Sequence, residues 1–125
     1  MNKVKETISS THLCEVIVEG MKDNKASDIV VLDLREVENA VTDYFVICTG
    51  TSNTQIEGIA QSIIRLTRNT LKERPWHKEG QGNSDWVLID YVSVVVHIFS
   101  RELRAFYDLE ELWADAKREE VVTEY

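Results

Sequence analysis

The stretch DYFVICTGTSNTQ, Asp43 to Gln55, carries an apolar run, Phe45 to Cys48, that breaks at Thr49-Gly50-Thr51-Ser52 and opens into a helical pattern. An aromatic and β-branched run closed by a glycine reads as a buried strand, here Tyr44 to Thr49. Strand, glycine turn and helix N-terminus together suit a phosphate, because backbone N–H groups and the helix dipole face the anion. Gly50, Thr51, Ser52 and Asn53 therefore form a candidate anion-binding turn. The loop lacks the lysine and spacing of a P-loop, and it has one glycine where a dinucleotide fingerprint has three. The competing reading is a tight turn with a hydroxyl cap, since Gln55 follows Ser52 at capping-box spacing.

Downstream of Ser52, Ile56, Ile59, Ala60, Ile63, Ile64 and Leu71 make one stripe of a long helix that Pro75 ends. Upstream, Leu13, Val16, Ile17 and Met21 predict a helix from Thr11 to about Asn24, weakened by Gly20, and Asp28 to Leu34 follows as a strand. After Pro75 the period becomes two. WHKEG reads as a short edge strand, QGNSD as a turn, and WVLIDY and SVVVHIFS as a hairpin across Asp90 to Ser93. RELRAFYDLEELWADAKREE reads as one closing helix with Asp108 and Glu111 at capping-box spacing, and the acidic tail is expected to fray. The order α-β-β-α-β-β-β-α predicts a single α/β domain over residues 1–125, with its core at about 10–117. Helices pack on a mixed sheet of about five strands, and the strands flanking the long helix run parallel.

Composition excludes several classes. The chain has 125 residues, 22 acidic against 14 basic, for a net charge of −8. This disfavours specific nucleic-acid binding, which needs a basic face, and suits a basic protein partner. No apolar run approaches the ~18 residues of a membrane span, and Glu6 and Glu15 argue against a transit peptide, so a cytoplasmic location without membrane attachment is expected. Cys14 and Cys48, the two cysteines, are widely separated and sit among apolar residues, as buried thiols do.

No catalytic residue, metal site or cofactor follows from the motifs. After the Gly50 turn the next acid is the single Glu57, inside the helix, where metal-dependent nucleotidyl transfer needs two or three convergent carboxylates. His97 interrupts VVVHIF. Alternation sets Val95, His97 and Phe99 on one sheet face against Val94, Val96 and Ile98 on the other. It reads as a general base, a satisfied core group or part of a partner-facing surface, and no serine or cysteine is placed to complete a triad. Trp86, Asp90 and Tyr91 bracket the neighbouring strand. Such rings serve equally as core or as interface anchors.

The blocks TDYFVICTGTSNTQIEGIAQSI and WVLIDYVSVVVHIFSRELRAFYDLEELWADA, in this order, resemble the ribosomal silencing factor (Iojap-like) family. The resemblance runs from the first helix to about Ala116. It implies a nucleotidyltransferase-like scaffold without the catalytic carboxylates, and hence a non-enzymatic protein. It further implies binding to the large ribosomal subunit through its fourteenth ribosomal protein, a steric block of subunit joining under nutrient limitation, and a homodimer in the free state, with the aromatic face as the self-association surface. Partner-contact residues implied by the matching blocks are Trp86, Asp90, Tyr91 and His97, then Arg104, Phe106, Tyr107 and Asp108. The usual DYGD turn of the family reads DYVS here, with Val92 and Ser93. The alternative function is a nucleotide-binding or nucleotidyltransferase enzyme that uses the TGTSN loop.

Overall fold

A computed structural model describes residues 9–80 and 84–125. Gln81 to Asn83 of the expected QGNSD turn lie outside the described residues. The elements are α1 (Ser10–Asp23), β1 (Ser27–Asp33), β2 (Tyr44–Thr49), α2 (Asn53–Leu71), β3 (His77–Glu79), β4 (Trp86–Asp90), β5 (Val94–Phe99), α3 (Arg101–Tyr107), α4 (Leu109–Leu112) and β6 (Lys117–Glu120). They build one mixed sheet in the order β3-β4-β5-β2-β1-β6.

β2 lies in the interior of the sheet, and all six of its residues are buried. Its partner on one side is β5, parallel, and on the other β1, antiparallel. An apolar run without alternation is what a strand covered on both faces requires. β3 runs in the direction of β2, as expected of strands flanking α2, but β5 and β4 stand between them. The β4–β5 hairpin forms in the predicted place, with Asp90 opposite Val95 and Trp86 opposite Phe99.

Alternation along the strands sorts the core into two layers. One layer, with Val46, Cys48, Val94, Val96 and Ile98, packs against α1 and α2. Gly20 explains how the two helices come together. A Cβ there would stand 2.8 Å from Ile63 Cα, and the Ser62 hydroxyl donates to the Gly20 carbonyl at 2.9 Å. The residue that weakens α1 in isolation thus permits a close approach to α2.

The other layer holds Val30, Leu32, Phe45, Ile47 and Phe99, with Trp86, Val95, Leu103, Leu109 and Trp113 partly buried around it. Its cover is the C-terminal segment, which departs from the single predicted helix. Ser100 caps α3 by accepting from the Leu103 N–H at 3.2 Å. The helix then stops at Asp108, whose φ of +46° is left-handed. Asp108 is the C-cap of α3, and its carboxylate makes no capping bond to α4, so the expected Asp108–Glu111 box does not form. The first part of the acidic tail lies in a strand. Lys117 to Glu120 pair antiparallel with β1 as a sixth strand, one more than predicted. Charged side chains on all four residues suit an exposed edge that must not recruit other chains.

Candidate functional site

The strand-to-helix turn at Gly50 is an internal weld. Ser52 caps α2 by accepting from the Gln55 N–H at 3.0 Å. The Gln55 carbonyl oxygen accepts from the Thr51 N–H and hydroxyl, and its amide nitrogen donates to the carbonyls of Asn24 and Lys25 at 3.1 Å. Gln55 therefore ties the turn to the end of α1 and occupies an N–H that an anion would use. A Cβ on Gly50 would meet Ile56 Cγ1 at 2.6 Å, so the glycine makes room for the first turn of α2. Among the described residues, no group of three or more His, Cys, Asp or Glu is placed to hold a metal ion. No helix among them is long and apolar enough to cross a membrane.

The second sheet face carries a different assembly. β4 and β5 place Trp86, Leu88 and Asp90 opposite Phe99, His97 and Val95. The rings of Trp86, His97 and Phe99 form a raft: Phe99 lies within 13° of Trp86 and 6° of His97, and Trp86 lies within 11° of His97. The Trp86 indole N–H donates to His97 Nδ1 at 3.3 Å. Phe45 meets the His97 ring edge to face, with centres 5.0 Å apart, and Trp113 meets Phe45 in the same way. From α3, Tyr107 reaches over Trp86 and Phe99 with centres 5.2 and 6.0 Å away. Phe106 stands beside Tyr107 and is 76% exposed. Burial pushes the His97 pKa down to about 4, so the imidazole is neutral at ordinary pH.

The predicted contact residues divide accordingly. Trp86, Phe106 and Tyr107 belong to this face and are accessible. His97 belongs to it but is 6% exposed. Asp90 stands at its end, where its carboxylate accepts from the Val92 N–H at 2.7 Å. Asp108 is exposed at the α3–α4 corner. Arg104 instead clamps α3 to the sheet: its guanidinium donates to the Asp28 carbonyl, to Thr49 Oγ1 at 2.9 Å and to Glu110 at 2.8 Å. That ion pair is largely buried on both sides.

Tyr91 corrects the expectation. Its side chain lies on the opposite face, 7% exposed, with its hydroxyl 2.7 Å from Thr67 Oγ1 of α2. Burial raises its pKa to about 12. It is a core residue, because the chain leaves β4 after Asp90 and alternation turns the next side chain inward. Sequence reasoning set Val95 on the His97 face but named neither it nor Leu88 as a contact residue, although counting by twos from Trp86 and His97 finds both.

The family model described as "ribosomal silencing factor during starvation" matches residues 7–124. The chain belongs to the ribosomal silencing factor family. The ribosomal silencing factor of Halalkalibacterium halodurans is 36% identical over 109 residues, which cover 87% of this chain and 92% of that protein. That of Haemophilus influenzae is 36% identical over 102 residues, 82% of this chain and 98% of its own length. Among solved structures, a Chromobacterium violaceum protein superimposes with a TM-score of 0.80 at 28% identity, covering 93% of this chain and 95% of its own. The ribosomal silencing factors named here carry a regulatory name, not an enzymatic one.

Proposed function

We propose that the protein is a cytoplasmic, non-enzymatic silencing factor that docks on the large ribosomal subunit through its fourteenth ribosomal protein. In doing so it stands where the small subunit must join, and translation falls under nutrient limitation. The observation that carries this reading is the Trp86–Phe99–Tyr107 face, which has Phe106 exposed beside it and Asp90 and Asp108 at its ends. Aromatic anchors with an acidic rim suit a basic ribosomal protein: the rings supply the buried energy, and a net charge of −8 favours encounter with a cationic surface. Family membership supports a ribosomal partner. The nucleotidyltransferase-like origin of the scaffold and a free-state homodimer through the same face belong to this proposal. The nucleotide-binding alternative has less support, because Gln55 already fills the Thr51 N–H.

Sedimentation tests it. Purified protein is mixed with isolated large and small subunits at an Mg²⁺ concentration that promotes joining. Co-migration with the large subunit and loss of joined ribosomes is the expected result. Protein left at the top of the gradient, with joining undisturbed, would overturn the reading and direct a nucleotide screen to the Gly50 turn.

A further inference from the structure

We propose that His97 is a positioning residue for the ribosomal contact: it fixes the orientation of the Trp86 ring in the face without touching the partner itself. This inference rests on the docking face proposed above and assigns a division of labour within it.

The argument starts from the hydrogen bond. Trp86 Nε1–H can only donate, so His97 Nδ1 must be the acceptor, and the imidazole proton sits on Nε2. The two rings are also near-parallel, with planes 11° apart and centres 6.0 Å apart, so bond and ring contact together hold the indole. A side chain on a half-exposed strand is thereby denied its other rotamers. Nε2, by contrast, is buried and has no hydrogen-bond partner among the described residues. An unpaired buried donor is unfavourable, and phenylalanine at this position would fill the same space without one. What histidine adds over phenylalanine is an acceptor for the indole N–H.

The acceptor is a durable one. The rings around His97 are Trp86, Phe45 and Phe99; Leu88 and Ile47 stand opposite it on β4 and β2. None of these is charged, and burial is the sole cause of its lowered pKa. Nδ1 therefore keeps its lone pair throughout the neutral range. A partner that meets an already ordered indole avoids the entropy cost of ordering it, which improves affinity with no added contact.

The test uses the full-length protein with His97→Phe, His97→Asn and Trp86→Phe. The first reading is the indole ¹⁵N–¹H resonance of Trp86, assigned by its loss in Trp86→Phe, together with its hydrogen-exchange rate. The second is the Kd for isolated large subunits. His97→Phe is expected to shift the resonance upfield, speed exchange and weaken binding about tenfold. The Asn side-chain oxygen can stand in for Nδ1, so His97→Asn is expected to restore the resonance and most of the affinity. Combining His97→Phe with Trp86→Phe should cost no more than the larger single loss, since both break one interaction. An unchanged indole resonance or undiminished affinity in His97→Phe would overturn the proposal. So would an Asn variant no better than Phe. Should His97→Phe fail to fold, His97→Leu, which also removes the acceptor, is read by the same indole resonance and Kd, and an unchanged resonance or affinity overturns the proposal. If the unmutated protein does not bind large subunits, the docking reading itself fails, and the indole resonance still reports whether His97 holds the ring.

Discussion

The hydroxyl of Thr42 donates to the carbonyl of Val92 at 2.9 Å, joining two loops fifty residues apart in sequence. The bond braces a strained turn. Val92 has a φ of +75°, and the Ser93 N–H donates to the Tyr91 carbonyl across it, which makes a γ-turn of the rarer, positive-φ kind. A β-branched residue is poorly suited to that conformation. Val92 thus holds a backbone conformation that glycine adopts without strain. Thr42, Asp90 and the Asp43 N–H, which donates to the Ser93 carbonyl, all hold it.

Val92→Gly is therefore expected to stabilise the protein. The valine is 62% exposed, so little buried surface is lost. Relief of about 1–3 kcal/mol of strain outweighs the extra chain entropy of glycine, for a net gain of about 1 kcal/mol. Urea unfolding would show it as a higher midpoint at unchanged slope.

Gly20→Ala should act in the opposite direction from helix propensity. Alanine favours an isolated helix by about 1 kcal/mol. Its Cβ would press on the backbone of Ile63, which cannot swing aside as a side-chain tip can. We expect a net loss of about 1–3 kcal/mol from overpacking, measured by the same unfolding titration.

His97 gives the pH dependence a definite sign. Its folded pKa of about 4 lies below the ordinary 6.5, so between these values the unfolded chain binds more protons than the folded one. Stability is full above pH 6.5 and falls as the pH drops toward 4, by about 3 kcal/mol across the window. His97→Phe should flatten this slope. Asp33, held below the ordinary carboxylate range first by its hydrogen bond from Arg35, loses its contribution only at lower pH.

Phe106→Ala and Tyr91→Phe separate docking from folding. Phe106 is exposed and supports no core contact of the first layer, so its truncation should weaken large-subunit binding by tenfold or more while unfolding stays within about 0.5 kcal/mol. Tyr91→Phe removes a buried hydrogen bond to Thr67. Stability should drop by about 1 kcal/mol with binding unchanged. Equal binding losses in the two variants would contradict the assignment of Tyr91 to the core.

What the sequence by itself determined was local and periodic. The apolar run of β2, Phe45 to Cys48, the stripe of α2 and the alternation of Val95, His97 and Phe99 each specify an element and which of its side chains share a face, because period two and period 3.6 are properties of the chain alone. The caps at Ser52 and Ser100 are equally local. Only the tertiary structure decided the rest. KREE has no apolar face, and it is a strand because β1 offers an open edge for its backbone groups. The closing helix breaks at Asp108 where Arg104, bonded to Asp28, Thr49 and Glu110, ties the corner to the sheet. Tyr91 and Trp86 look alike as aromatic residues near one strand. One is sealed beneath α2 and the other stands half-buried beside Phe99 and Tyr107 on the opposite face, because which side of a sheet stays open depends on the helices that arrive to cover it.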